Sequence, residues 1–310
     1  MLTKTQKQNL EKQQYRIIGQ HSAVKICSWT KKSIINKGEC YKEKFYGIKS
    51  HLCCQMTPCL TCTNMCVFCW RDQSAPAVKK WQLKNADFPK EIIDKCIEAQ
   101  KKLLVGFYGN DKADKKKLEQ AQKPRHVAIS LSGEPTLYPK LPELIKEIHS
   151  RGMSSFLVTN GMFPDMLEKA NPTQLYVSAD APNEKLFMKI DRPVFRDAWQ
   201  RLNKSLDILS KKKCRTALRI TLIKGMNMTD IPGYACLIEK ADPDFIEVKA
   251  YMFVGSSRQR LSIKNMPLHP EIREFSRELE KHLDKWKIVD EQPESRVVLL
   301  SKNRETKINF

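Results

Sequence analysis

The sequence predicts an α/β fold assembled from parallel strand–helix units, on two observations. Strand-like and helix-like stretches alternate about six times through the chain. Polar and glycine residues recur directly after the strand-like stretches: Ser132-Gly133-Glu134, Thr159-Asn160-Gly161, Ser178-Ala179-Asp180 and Lys224-Gly225. A parallel barrel gathers its chemistry on the face carrying such turns, and so does a doubly wound sheet. Periodicity leaves the choice between them open. At 310 residues the chain is long enough for one large core or two modest ones.

The elements follow in order. Residues 1–50 read as a basic, poorly periodic lead-in with eleven Lys and Arg against three Glu, and Cys27 and Cys40 inside it. A cysteine-rich loop comes next, and the segment before it counts as the first strand. Residues 88–105 are helical, because Phe88, Ile92, Ile93 and Ile97 recur at helical spacing after a start signal at Asp87 and Pro89. Residues 108–125 interrupt this unit as a charged surface excursion. "HVAISLSGEPTLYP" is a strand ending in a glycine turn, and "LPELIKEIHSRG" is a helix closed by Gly152. Strand "SSFLVTNG", helix "MFPDMLEKAN", strand "TQLYVSADAP" and helix "VFRDAWQRLNKSLDILSK" continue the series. Strand "RTALRITLIKGMN", helix "TDIPGYACLIEKA", strand "DFIEVKAYMFVG" and helix "HPEIREFSRELEKHLD" complete it. The tail "RVVLLSKNRETKINF" offers one further short strand.

The formal charge is +20, from 55 Lys and Arg against 35 Asp and Glu. That excess favours an anionic partner, nucleic acid first and an anionic membrane surface second, over a free small-molecule enzyme. Eleven cysteines are an odd number for a disulfide set. No apolar run reaches membrane-span length, and the N-terminus has no signal-like apolar segment. A cytoplasmic location is therefore expected, where clustered cysteines point to metal binding or catalysis.

In "TPCLTCTNMCVFCWR", Thr57 to Arg71, one loop offers Cys62, Cys66 and Cys69 at spacings of four and three positions. Thiolates suit iron–sulfur clusters, zinc and copper(I). Structural zinc asks for a second cysteine pair elsewhere. Three cysteines on a four-iron cubane leave one iron open for another ligand, and Phe68 and Trp70 flank the last cysteine as shields. This pattern resembles the signature of the radical S-adenosylmethionine (SAM) superfamily. The resemblance implies that SAM chelates the open iron and is cleaved to a 5′-deoxyadenosyl radical. Ser132-Gly133-Glu134-Pro135 resembles the superfamily's glycine–glutamate motif, which meets the cofactor's amino group, with Ser132 in place of a usual glycine. Asn160 and Ser178, at the next two strand ends, are the expected ribose or carboxylate contacts.

Cys27, Cys40 and Cys53 lie thirteen residues apart, twice, and match no local zinc motif. Composition alone makes them inert. The flanking text changes that. "SHLCCQMTP", "CTNMCVFCWRD", "SLSGEPTLYPKLPELI", "LVTNGMFPDML", "QLYVSADAPN" and "DRP" at Asp191–Pro193 resemble the tRNA 4-demethylwyosine synthase family over most of the chain. The resemblance implies an incomplete (β/α)6 TIM-like barrel at 51–285. It is flanked by an N-terminal extension at 1–50, carrying ligands of a second cluster, and a C-terminal extension at 286–310. It implies two [4Fe-4S] clusters, the second on Cys27, Cys40 and Cys53, with Cys54 and Cys59 as bystanders. Eukaryotic members carry an added flavodoxin-like domain for which this chain has no room. A separate ferredoxin- or flavodoxin-type donor is therefore expected, and a monomer.

The family's substrate is 1-methylguanosine beside the anticodon of tRNA(Phe), and pyruvate supplies two carbons for a third ring. On this reading pyruvate chelates the open iron of the second cluster, and a lysine forms an imine with its carbonyl. Lys42, two residues after a cluster ligand, is the first candidate for that role, with Lys49 and Lys249 in reserve. Lys25, Lys31, Lys32, Lys37, Lys42, Lys44 and the run Lys115-Lys116-Lys117 are expected phosphate contacts. Trp29, Tyr41, Phe45 and Tyr46 are either base-stacking residues or core. Two other readings compete: a radical SAM enzyme acting on another RNA or on a protein, and a zinc-stabilised RNA-binding module.

Overall fold

The computed structural model describes residues 3–308, so the first two and last two positions of the terminal extensions lie outside the described residues. The chain order is α1 (Lys4–Lys12), β1 (Arg16–Ile18), β2 (Ser22–Val24), α2 (Ser28–Ile34), α3 (Tyr41–Tyr46), β3 (Cys53–Thr57), α4 (Pro89–Leu104), α5 (Lys115–Ala121) and β4 (His126–Ile129). It continues with α6 (Leu141–Ser150), β5 (Ser154–Thr159), α7 (Pro164–Lys169), β6 (Gln174–Ser178), α8 (Glu184–Ile190), α9 (Ala198–Leu209) and β7 (Arg215–Leu222). Last come α10 (Ile231–Ala241), β8 (Phe245–Ala250), α11 (His269–Lys281), β9 (Lys287–Gln292) and β10 (Val297–Ser301).

These elements form an α/β fold with one mixed sheet and flanking helices. The sheet order is β1-β2-β3-β4-β5-β6-β7-β8-β10-β9. Strands β3 to β8 are parallel and adjacent in chain order. The hairpin β1–β2 adds antiparallel on β3, and the hairpin β10–β9 adds antiparallel on β8.

Strand alternation separates the two faces. Val127, Ile129, Leu157, Leu175, Val177, Leu218, Ile220, Ile246 and Val248 pack in the large core with residues of α4, α6, α9, α10 and α11. The opposite face is smaller and more aromatic. Phe156, Tyr176, Ala217, Phe245, Val297 and Leu299 pack there against Tyr41, Phe45 and Tyr46 of α3. α3 thus covers the inner face of the sheet. Among the described residues no helix is long and apolar enough to cross a membrane.

Three expectations require correction. The first fifty residues are not an aperiodic lead-in: they supply two strands and three helices. Those strands have three residues and two of the helices six and seven, too short to show a period. The charged excursion contains α5, whose Leu118 and Ala121 are buried against Ile34 and Leu104. Two elements went unseen: α8, between strand "TQLYVSADAP" and helix "VFRDAWQRLNKSLDILSK", and β9, an edge strand whose sequence "KIVDEQ" is half charged.

Candidate active site

Cys62, Cys66 and Cys69 lie on the loop leaving β3, at the carboxyl ends of the parallel strands. Backbone pairing pins this loop from several sides. Met65 N–H donates to Arg192 O at 3.1 Å, Val67 N–H to Ile190 O at 2.8 Å, and Val194 N–H to Thr63 O at 3.0 Å. The segment Asp191–Pro193 therefore runs against the cysteine loop, with Asn64 and Pro193 forming an antiparallel bridge. Val78 N–H donates to Cys62 O at 2.9 Å, and Ser256 N–H to Trp70 O at 3.0 Å.

The turn after β4 docks on the same loop. Glu134 N–H donates to Thr61 O at 2.8 Å. Gly133 has φ +72°, and a Cβ there would lie 2.0 Å from Cys59 O and 2.6 Å from Thr61 O. Only glycine fits both that backbone and that approach. The Glu134 carboxylate is buried and accepts from Thr136 N–H (3.0 Å), Thr136 Oγ1 (2.6 Å), Thr159 Oγ1 (2.6 Å) and Asn160 N–H (2.9 Å). Burial raises its pKa against those four donors. It ties the end of β5 to the turn after β4. Asn160 Nδ2 in turn donates to Thr63 Oγ1 at 2.8 Å and lies 3.8 Å from Cys62 Sγ. Ser178 is half-buried at the end of β6, in register with Arg219.

Burial pushes the Cys62 thiol up to about 12 and Cys66 well above its ordinary value. Cys66 also feels Asp191, Cys69 and Cys62, and its thiol lies 3.4 Å from Asp191 Oδ1. Asp191 Oδ2 and the Asn64 amide nitrogen are buried without a partner among the described residues. The three thiols feel one another, yet among the described residues no group of three or more His, Cys, Asp or Glu side chains converges on one metal ion. Three thiols on one loop, close enough to feel one another, are a soft donor set that suits an iron–sulfur cluster.

The second trio comes from three separate elements. Cys27 precedes α2 at its N-cap, Cys40 precedes α3 at its N-cap, and Cys53 opens β3. Cys53 therefore lies at the amino end of its strand, away from the rim where strand-end chemistry was expected. The side chains nevertheless come together: Cys40 and Cys53 each feel Cys27, and Cys53 feels Cys40. Burial lifts Cys40 to about 12 and Cys53 well above its ordinary value. Buried Ser50 joins the elements. Its hydroxyl accepts from Cys40 N–H at 2.9 Å, and its carbonyl accepts from Thr30 Oγ1 at 2.9 Å.

Lys42 is buried beside this trio, 8% exposed. Its Nζ lies 4.5 Å from the centre of the Tyr176 ring and 5.1 Å from that of Phe156. Its pKa is lowered, first by burial and then by the Arg219 cation, against the opposing pull of Glu247, Cys40 and Cys53. Lys249 is half-buried, and desolvation with Arg219 brings it to about 8. Lys49, by contrast, is exposed and pairs with Glu43 at 3.3 Å. Beneath the two lysines Glu247 accepts from Tyr41 Oη (3.0 Å), Tyr46 Oη (2.9 Å) and Arg219 (3.1 Å).

Tyr41, Phe45 and Tyr46 are thus core, not free stacking platforms. Of the expected phosphate contacts, Lys44 pairs with Asp290 at 2.9 Å, Lys117 donates to Asn36 Oδ1 at 2.7 Å, and Lys25 lies over the rings of Tyr15 and Trp70. Two arginines, buried Arg71 and half-buried Arg219, went unremarked in the sequence. The signal for Arg71 was its place two residues past the last cysteine of an otherwise uncharged, thiol-rich loop.

A family model described as "Radical SAM superfamily" matches residues 56–235, and one described as "Wyosine base formation" matches 240–302. The S-adenosyl-L-methionine-dependent tRNA 4-demethylwyosine synthase of Pyrococcus abyssi is 49% identical over 94% of this chain and 87% of that protein. Its counterpart in Oryza sativa subsp. japonica is 44% identical over 100% of this chain but 48% of that longer protein. A solved structure of TYW1 with a lysine–pyruvate adduct bound superposes with TM-score 0.89 at 41% identity, covering 100% of this chain and 99% of that one. A crystal structure of archaeal TYW1 gives TM-score 0.82 at 37% identity, covering 99% and 100%. With its thiol loop and strand ends arranged as described, the chain belongs to the tRNA 4-demethylwyosine synthase family, and it catalyses a radical-SAM reaction of tRNA wybutosine biosynthesis.

Proposed function

We propose that this enzyme condenses 1-methylguanosine beside the anticodon of tRNA(Phe) with pyruvate, forming 4-demethylwyosine, and that Lys42 holds pyruvate as an imine. One observation carries the reading: a single strand connects the two thiol sites. Phe156 of β5 lies under Lys42, while Asn160, just past the end of β5, touches Cys62. Four residues of strand place these contacts roughly 13 Å apart. A flipped-out base entering from the rim thus meets a lysine-bound substrate inside the sheet's concave face.

Cys62, Cys66 and Cys69 would hold one [4Fe-4S] cluster and Cys27, Cys40 and Cys53 the other; with SAM, the rim cluster supplies the radical that activates the base's methyl group. Everything else falls to this chain's own residues. The neutral Lys42 amine adds to the keto carbon of pyruvate, and water leaves as the imine forms. Lys249 and Arg219 make the pocket attractive to a carboxylate. Glu247 keeps Arg219 from filling that role alone and fixes its position. The turn after β4 would meet the ammonium of SAM through its backbone carbonyls at Ser132 and Gly133 and through Glu134, whose Oε2 accepts one bond, from Asn160 N–H, among the described residues. Asn160 and Ser178 would present side chains to the rest of the cofactor. The relative's lysine–pyruvate adduct supports an imine here, and burial singles out Lys42 over Lys49.

The same reading has the six parallel units form an incomplete barrel, with 1–50 and 286–310 closing its inner face. A separate low-potential donor delivers the electron, and the enzyme works in the cytoplasm as a monomer. For the tRNA, the rim offers Lys189, Arg192, Arg258 and Lys264. All four are exposed, and none makes an ion pair among the described residues. The helical jacket neutralises itself instead, with Lys90–Asp94, Lys95–Glu91 and Lys102–Glu98 on α4 alone.

The test is borohydride trapping of labelled pyruvate on the reconstituted enzyme, followed by peptide mapping. Label on Lys42, lost in Lys42→Ala together with product from methylated tRNA(Phe), is the expected result. Label on Lys49, or undiminished trapping in Lys42→Ala, overturns the assignment. In parallel, iron should fall from about eight to about four per chain when Cys27, Cys40 and Cys53 are replaced by Ala.

A further inference from the structure

We propose that Arg71 is the countercharge of the rim thiolates and raises the reduction potential of the cluster they hold. This rests on the reading that Cys62, Cys66 and Cys69 bind a four-iron cluster. Arg71 is 7% exposed. A buried guanidinium ordinarily has a carboxylate partner, because an unpaired buried cation is costly. Among the described residues no carboxylate makes an ion pair with Arg71. Its Nη2 donates to the Asn64 carbonyl at 2.5 Å and lies 3.9 Å from Met65 Sδ. The groups whose charge it feels are the thiols of Cys62, Cys69 and Cys66.

The fold therefore turns a buried cation back onto the loop that carries the three cysteines, at the Asn64 carbonyl between Cys62 and Cys66. A cluster is held by thiolates, and with no carboxylate pairing with it among the described residues, this guanidinium is the countercharge that faces them. Arg260 makes a useful contrast. It is half-buried and grips the same loop through the carbonyls of Val67 and Cys69, so it fixes the backbone and leaves the thiols alone. Arg71 also lines a cavity with Thr61 and Ser132, next to the turn assigned to SAM.

The consequence has a definite sign. Reduction adds one electron, from a low-potential one-electron donor, and neither makes nor breaks a bond in that step. A fixed neighbouring cation stabilises the more negative state, so it raises the potential. Arg71 acts through the cluster and is a positioning residue, not a catalytic one.

The experiment is an EPR-monitored potentiometric titration of the anaerobically reconstituted full chain. The rim cluster's signal is identified by its change on adding SAM. Arg71→Gln should lower the midpoint by a tenfold loss in the one-electron equilibrium, 59 mV, or more. Arg71→Lys should stay near wild type, and Lys146→Gln, an exposed charge on α6, should not shift it. Arg71→Gln with a wild-type midpoint overturns the proposal. If Arg71→Gln holds no iron, Arg71→Lys decides: a wild-type midpoint supports a role for charge, and a 59 mV fall with charge retained refutes it. A wild-type spectrum indifferent to SAM refutes the cluster reading itself, whatever Arg71 does.

Discussion

The two cysteine trios are built on opposite principles. The rim trio sits on one continuous loop within eight residues, and backbone hydrogen bonds from β4, from Asp191–Pro193 and from the loop after β8 fix its shape. The inner trio is gathered from two helix starts and a strand start, and side chains hold it: Ser50, Glu43 and the charge network around Glu247. The difference teaches which substitutions each site tolerates. A loop clamped by carbonyls and N–H groups is insensitive to most side-chain changes and intolerant of any Cβ in the clamp. A site clamped by side chains fails one contact at a time.

The sharpest way to break the rim site is therefore Gly133→Ala. The new Cβ would need space now held by the carbonyls of Cys59 and Thr61, at a φ that alanine disfavours. Backbone cannot yield as a flexible side chain does, so the cost should be about 4 kcal/mol or more, in the range that single substitutions rarely reach. Denaturant unfolding should show it, and iron analysis should find the rim cluster lost while the inner one remains. An iron content equal to wild type would mean that the clamp is softer than the geometry implies.

Next in size is Glu247→Gln. Glu247 is fully buried and balances Arg219, while Tyr41 and Tyr46 donate to it. Removing its charge strands a half-buried guanidinium, 17% exposed, so the cost should lie toward the lower end of about 3–5 kcal/mol. Replacing Arg219 by Met at the same time should recover much of that loss, because the penalty comes from the uncompensated charge. Equal destabilisation in the single and double variants would show that the tyrosine hydrogen bonds, not the ion pair, dominate.

The same contrast explains what the sequence made legible. Helices α4, α6, α7, α9, α10 and α11 and strands β4 to β8 were legible in the sequence, whereas the seven-residue α5 and α8 were too short to show a period. The rim trio was legible because its ligands are close in sequence and their spacing is the chemistry. The inner trio was visible through family resemblance, since a spacing of thirteen and thirteen encodes no local geometry. Lys42 emerged from its place near Cys40, but its seat on Tyr176 and Phe156 is a tertiary fact. Arg219 and Glu247 could not be read as a pair: they sit on neighbouring strands, 28 residues apart, and each strand carries a second charged residue, Arg215 or Lys249. Glu134 was read as a cofactor contact from its motif; that two of its four internal donors, Thr159 and Asn160, come from the end of β5, a strand away, is a tertiary fact.

The smallest expected effect isolates the inner site most cleanly. Ser50 is 2% exposed, and its hydroxyl both accepts from Cys40 N–H and donates to Glu43 Oε2 at 2.8 Å. Ser50→Ala leaves the Cys40 N–H without its acceptor at the start of α3, costing about 1–3 kcal/mol. The backbone bond from Ser50 N–H to Glu43 at 2.8 Å and the bond from Thr30 to the Ser50 carbonyl survive the change. The chain should therefore fold with only a modest loss of stability. What moves is Cys40, whose approach to Cys27 and Cys53 depends on that cap. Inner-cluster occupancy should fall while the rim cluster and SAM cleavage persist, so that pyruvate incorporation drops and SAM turnover does not. If both activities fall together, the two sites are mechanically one, and the division into a backbone-held and a side-chain-held centre is wrong.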